Sequence, residues 1–364
     1  MGLYVAIYLC LLPVCILINI TRSDIIKKYL KFLLIITLSI LPVFRDQTVG
    51  TDTSMYVDFF SWNMTWADWI HYGTELGFVS VIKTFHFIGI ESYFFYLLFF
   101  SLLYNYLMIT GIFKLSVNPL ISIITYITIS TLFFFNFNVI RQSLALAFFV
   151  YSLPFMFNKK YYKCYLIIII GVFFHYSALL LLIFPIIYSN IEKRFKFTTI
   201  ISVILIYAYT KLTTVLLGFL ANFTGATRYN NYIGLTESNG GKICIFNILV
   251  LIVLTIIASI NRQLFRDKSF LFFFYLFIVM VFTYFCVSFL GLKYEGPGRI
   301  LNYFYVADIF IYPYFFNIVN VRYRMISYLF FYIFAFTYVC VVFTYVPLHG
   351  VLPYKFSPYV DTIL

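Results

Sequence analysis

Apolar runs about as long as a lipid bilayer is thick recur along this chain from end to end, and nothing else in it constrains the fold as strongly. Residues 3–20, 92–113, 243–260, 270–290 and 325–346 are each such a run. A soluble fold would have to bury all of them in one core. With 63% hydrophobic and only 10% charged residues, too few polar side chains would remain to cover that core. The predicted fold class is therefore all-α: a polytopic integral membrane protein with about ten full spans plus a short-helix hairpin, or 10–12 membrane segments by the usual length rule. No internal repeat, linker or low-complexity tail interrupts residues 1–364, so a single transmembrane domain is expected.

The net charge of +12 raises the question of a polyanionic partner, and the placement of the cations answers it. Sixteen of the 25 Lys and Arg fall in six short connections, around residues 22–31, 114, 159–163, 193–196, 262–268 and 322–324, with only Asp24, Glu192 and Asp267 among them. That is the positive-inside pattern, which orients helices and implies no nucleic acid. The first apolar run has no small-residue cleavage pattern after it and reads as a retained helix. All six cysteines lie within apolar runs, so neither a disulfide framework nor a metal site is indicated.

Alternating the spans from a cytoplasmic 22–31 connection puts residues 45–75 outside. This stretch holds five of the thirteen acids: Asp46, Asp52, Asp58, Asp68 and Glu75. Its core, Gly50-Thr51-Asp52-Thr53, suits a tight turn, because glycine permits positive φ and the short polar side chains can bond nearby backbone. Residues 75–90 follow as an amphipathic interfacial helix. Spans at 119–135 and 139–157 meet at an outer turn, Asn136-Phe137-Asn138, so Arg141 and Gln142 begin a helix near the outer face. Residues 161–188 are flanked by cations at both ends yet are too short for two full crossings. A broken-helix hairpin turning at Phe174-His175-Tyr176-Ser177 resolves the conflict and lifts His175 toward the outer half.

The same alternation gathers Arg45, Asp46, Asp52, Arg141, Arg228, Lys293, Glu295 and Arg299 at one membrane face. Ionisable groups at membrane depth are costly and are functional candidates, although a lone Arg at a helix end also snorkels to headgroups. Several arginines together call for an anionic ligand, since guanidinium forks onto phosphate oxygens. A lipid-borne pyrophosphate donor fits: Arg45, Arg141, Arg228, Arg299 and Lys293, with Gln142 and Glu295 beside them, would hold substrate and stabilise the leaving group. A base for the acceptor hydroxyl would come from Asp52 or His175. This chemistry needs no cofactor, and no cluster with metal-ligand spacing is present.

The pattern resembles a known family, the EpsG-like members of the Wzy-type polysaccharide polymerases. Three motifs carry the resemblance in order: VGTDTSMY (Val49 to Tyr56), the NVIRQSLALAFF stretch with Arg141-Gln142 continuing to GVFFHYSALL, and GRILNYF (Gly298 to Phe304). The resemblance implies a glycosyltransferase of the bacterial cytoplasmic (inner) membrane with its site facing the periplasm or exterior. Such an enzyme would transfer a growing O-antigen or exopolysaccharide chain from undecaprenyl pyrophosphate to the non-reducing end of a lipid-linked repeat unit. Its partners would be these lipid-linked donor and acceptor glycans, the bilayer and a chain-length regulator. The residues it singles out are Asp52, Arg141, His175 and Arg299. No large soluble outer loop is present, so acceptor recognition would fall to short loops such as residues 223–241. Two other readings stay open: a flippase for lipid-linked oligosaccharide, which expects pseudo-symmetric halves, and a multi-spanning glycan acyltransferase, which expects its key His near the inner face.

Overall fold

The computed structural model describes residues 2–224, 241–292, 297–345 and 350–358. The chain is an all-α polytopic membrane protein. Among the described residues, six helices are long and apolar enough to cross a membrane: Tyr93–Leu115, Ile140–Phe157, Tyr176–Thr213, Gly241–Ile260, Lys268–Phe289 and Arg322–Thr344. Pro119–Ile127 and Leu132–Asn138 together make a further, bent crossing, while Leu76–Phe87 and Tyr161–Phe174 are apolar but shorter.

The helices sort into two compact units, Met1–Leu182 with Phe316–Leu364, and Ile183–Phe315. In the first, α1 (Gly2–Ile20) lies on α2 (Asp24–Phe44), and α2 packs on α6 (Tyr93–Leu115). Helix α6 in turn packs on α9 (Ile140–Phe157), and α9 on α10 (Tyr161–Phe174). Three short helices, α3 (Thr53–Ser61), α4 (Trp66–Tyr72) and α5 (Leu76–Phe87), connect α2 to α6. In the second unit the helix Lys268–Phe289 is central, with 78% of its most apolar window buried, against 22% for Gly241–Ile260. The latter presents Ile252, Val253 and Ile256 outward, as a helix facing lipid should.

Local chemistry explains the short helices. Thr65 and Asp68 form a reciprocal capping box that starts α4, and Gly73 ends it in the left-handed region at φ 78°. A helix is present in the expected 75–90 stretch as α5, with Phe78, Val79 and Ile82 buried. The two residues that break its apolar pattern pin it down: Lys83 donates to the Met64 carbonyl, and His86 Nε2 lies 2.7 Å from the Phe60 carbonyl.

Two expectations need correction. The predicted span 119–135 is not continuous: α7 (Pro119–Ile127) and α8 (Leu132–Asn138) meet at 43° across a four-residue break, and Asn136 to Asn138 are helical rather than a turn. Thr125, Thr128 and Ser130 hydroxyls bond back to carbonyls four residues earlier, and Thr131 sits at φ 57°, so side chains compete with the helical ladder here. The predicted span 198–220 is found within Phe184–Thr224, beyond Arg194, whose non-helical backbone (φ −125°, ψ 20°) separates two helices there. Finally, the predicted helix from Arg299 begins with a 3-10 segment, Pro297–Tyr305, and becomes α-helical only at Val306–Ile318.

The C-terminal strap was not foreseen. Residues 350–358 return to the acidic loop, where Gly50 N–H donates to the Gly350 carbonyl and Asp46 N–H to the Lys355 carbonyl, both at 2.9 Å. Ser357 N–H donates to the Phe44 carbonyl at 2.9 Å, and its hydroxyl pairs with Tyr93 at 2.7 Å. The tail therefore lies on the same side as the acidic loop.

Candidate functional site

The break in the chain after α10 creates the site. His175 caps α10 in an extended conformation (φ −158°, ψ 116°) and interrupts the helix where the sequence predicted a turn. Its N–H still bonds the Gly171 carbonyl at 3.0 Å, so the imidazole is held to the end of the helix. Helices α9 and α10 run antiparallel across the short Asn158–Lys160 connection and meet where Gly171 faces Ala145, with room of only 3.3 Å between a built Cβ and the Ala145 carbonyl. One turn beyond that crossing lies His175 on one helix and Arg141 on the other.

A third element completes the cluster. Gly77 lets α5 approach α10 so closely that any side chain there would strike Phe173, with its Cβ 2.8 Å from the Phe173 carbonyl. Two residues before this contact is Glu75, and two residues after Phe173 is His175. Glu75 Oε1 lies 2.7 Å from His175 Nδ1, and Glu75 Oε2 is paired with Arg141 Nη1. One carboxylate thus bridges the two residues that sequence had singled out.

The surroundings are apolar on the arginine side. The Arg141 guanidinium carbon lies 6.0, 5.9 and 5.6 Å from the ring centroids of Tyr56, Phe59 and Phe78, a cation–π cradle. Exposure is graded: the side chains of Glu75, Arg141 and His175 are 5%, 20% and 28% exposed, so the cluster opens at the imidazole. Burial alone would raise the Glu75 pKa, but the hydrogen bond from His175 and the charge of Arg141 outweigh it and bring the carboxyl down to about 2. Glu75 is therefore an anion at any physiological pH and can only accept hydrogen bonds.

The Gly-Thr-Asp-Thr loop adjoins this cluster through the end of α8, just before α9 begins. Asn138 Oδ1 accepts from the Asp52 N–H at 2.8 Å and from the Thr51 hydroxyl, and Thr53 donates to the Val49 carbonyl at 2.7 Å. Gly50, at φ 92°, packs so tightly that an added Cβ would collide with the Phe137 carbonyl. Asp52 is the N-cap residue of α3, the helix that supplies Tyr56 and Phe59 to the arginine cradle; the Thr51 hydroxyl reaches its carboxylate at 3.2 Å.

The other predicted site residues are placed as follows. Arg45 is only 1% exposed: Nε donates to Thr53 Oγ1 at 3.1 Å and Nη1 to the Pro42 carbonyl, while Nη2 is buried without a hydrogen-bond partner among the described residues. Gln142 is 3% exposed, turned into the packed interior beside the outward Arg141. Arg299 is partly exposed on the 3-10 segment of the second unit. Arg228, Lys293, Glu295 and nearly all of the 223–241 loop lie outside the described residues. Among the described residues, no three His, Cys, Asp or Glu are grouped as metal ligands would be. Sequence reasoning missed Glu75 as a member of the site. The available signal was faint: an acid immediately before an apolar helix whose second residue is glycine.

Residues 4–356 match the model of the EpsG family, nearly the whole chain. No curated protein and no solved structure matches it.

Proposed function

This chain belongs to the EpsG family, and from that premise we propose that it is a polysaccharide polymerase, a membrane glycosyltransferase that extends O-antigen or exopolysaccharide chains. The donor in this reading is a growing glycan on undecaprenyl pyrophosphate, and the acceptor is a lipid-linked repeat unit. The acceptor hydroxyl oxygen attacks the anomeric carbon of the donor. The bond from that carbon to pyrophosphate breaks, and its electron pair leaves on undecaprenyl pyrophosphate. His175 takes the hydroxyl proton, and Arg141 stabilises the departing charge. Asp52, in the adjoining loop, is the second candidate for the base.

The observation that carries this reading is the Arg141–Glu75–His175 cluster, which puts a guanidinium and an imidazole on one carboxylate with the imidazole at the open side. The electrostatics add a requirement. Arg141 and Glu75 cancel one another, so a pyrophosphate needs further cations. In this reading the site is at the outer face of the cytoplasmic membrane, and the sequence's own candidates for such cations are Arg299, Arg228 and Lys293.

Reconstitution in proteoliposomes with an undecaprenyl-pyrophosphate-linked repeat unit tests the assignment. A glycan ladder is expected from wild type and from cells carrying it, with a single repeat unit in cells lacking the gene. Absence of polymer from wild type in vitro, together with an unchanged ladder in the deletion strain, would overturn it. Loss of every surface repeat would indicate transport instead.

A further inference from the structure

The bridging carboxylate carries the argument one step beyond the assignment of a base. An imidazole has two nitrogens, and only the one without a proton can accept one. Which nitrogen that is depends on what the other is bonded to. Here Nδ1 of His175 faces Glu75 Oε1 at 2.7 Å. The opposite oxygen of the same carboxylate is engaged by Arg141, a group that only donates. Glu75 is buried, ionised and accepts from both sides, so the proton of the contact with His175 has to sit on Nδ1.

We infer that Glu75 is the positioning residue of this site: held by Arg141, it fixes His175 as the Nδ1–H tautomer and thereby makes Nε2 the nitrogen that accepts the acceptor hydroxyl's proton. The chemical consequence rests on the polymerase reading, whereas the tautomer itself does not. In the transfer step the proton moves from the attacking hydroxyl to Nε2 as the new glycosidic bond forms. The imidazolium that results carries its positive charge beside the Glu75 carboxylate, and it discharges the Nε2 proton to solvent before the next cycle. Glu75 neither gains nor loses a proton.

Among the described residues, the acceptor seen at Nδ1 of His175 is the Glu75 carboxylate. The N-terminus of α5 contributes Glu75, α9 contributes Arg141, α3 contributes Tyr56 beside the guanidinium, and its own segment contributes the half-exposed Tyr176. Lys83 and His86 of α5 are engaged elsewhere, at the Met64 and Phe60 carbonyls.

The same geometry predicts what glutamine does at this position. Arg141 presents N–H to one side of residue 75, so the amide of Glu75→Gln has to turn its oxygen to Arg141 and its NH₂ to His175. Nδ1 then becomes the acceptor, the imidazole proton moves to Nε2, and the base is lost with the site otherwise intact. The variant should lose roughly 10²- to 10⁴-fold in kcat, the usual range for a general base, with little change in donor KM. Glu75→Asp keeps the charge and should retain more activity than Glu75→Gln.

The decisive experiment does not need catalysis. The chain has only 4 histidines, so ¹⁵N-histidine labelling with His71, His86 and His349 replaced leaves a single imidazole to read in nanodiscs. Neutral wild type is expected to show a protonated Nδ1 and a lone-pair Nε2, and Glu75→Gln the reverse. A protonated Nε2 in wild type overturns the inference even if polymerisation is confirmed. An unchanged tautomer and unchanged kcat in Glu75→Gln do the same. If the tautomers behave as expected but wild type makes no polymer, the inference about Glu75 stands and the polymerase reading falls. Should Glu75→Gln fail to fold, the wild-type spectrum alone still decides.

Discussion

Two arginines flank the same acidic loop and are put to opposite uses. Arg45 follows α2 and is sealed inside, where Nε and Nη1 of its guanidinium donate to a threonine hydroxyl and a backbone carbonyl. Arg141 opens α9, rests on three aromatic rings and pairs with a carboxylate that also holds an imidazole at the open side. The first has neutral partners, and its N–H groups cross-brace the loop. The second has an ionic partner and remains one-fifth exposed. The proposed function makes the first a brace of the fold and gives the second, which shares an anion with a titratable ring, to the chemistry.

The largest test of that contrast is Arg141→Met. It strands the Glu75 anion in an apolar setting, which should cost about 3–5 kcal/mol of stability and abolish polymerisation. The double variant Arg141→Met with Glu75→Gln should recover most of the thermal stability in detergent and none of the activity. If the single variant melts like wild type, the ion pair is not holding the helices together.

Arg45→Lys should be milder, at roughly 1–3 kcal/mol, because a compact ammonium cannot fork to both Thr53 and the Pro42 carbonyl. Membrane abundance should fall while activity per folded molecule is kept. A fall in specific activity at normal abundance would return Arg45 to the ligand site and erase the distinction.

Smaller still, Asn138→Ala should cost about 1 kcal/mol, by removing the acceptor for the Asp52 N–H and the Thr51 hydroxyl. It loosens the loop on the Arg45 side without touching Glu75, so its effect should add to that of Glu75→Gln when unfolding of the double variant is measured.

The smallest effect is expected from pH. The Glu75 pKa is depressed from 4.5 to about 2, so its contribution to stability is fully present above about 4.5. It declines as pH falls toward 2. Melting temperatures should therefore show wild type losing stability relative to Glu75→Gln as pH falls from about 4.5 toward 2. No such loss in the acid range would mean that the carboxylate is not held as an anion.

Several parts of this molecule were readable in one dimension. The alternation of apolar runs and cationic connections implied an all-helical membrane chain, and a segment too short for two crossings pointed to a break at His175. Topology alone put Arg141 and His175 on the same side. Arg45 was legible only as a charge near that face. Its burial depends on Thr53, eight residues away, folding back over it, and no periodicity carries that information. The break in the 119–135 span was hidden because Thr and Ser are tolerated within apolar helices, and only their back-bonding in place shows the ladder interrupted.

What the sequence determined by itself is the solvent: a chain with this many bilayer-length apolar runs has to satisfy its backbone within helices. What only the tertiary structure decided is which charges meet. Glu75, Arg141 and His175 are 66 and 34 residues apart in order along the chain. They converge because Gly77 and Gly171 let three helices approach at backbone distance, a contact between elements that local propensity does not encode. That close approach turns an acid in a surface loop into the buried partner of both an arginine and a histidine.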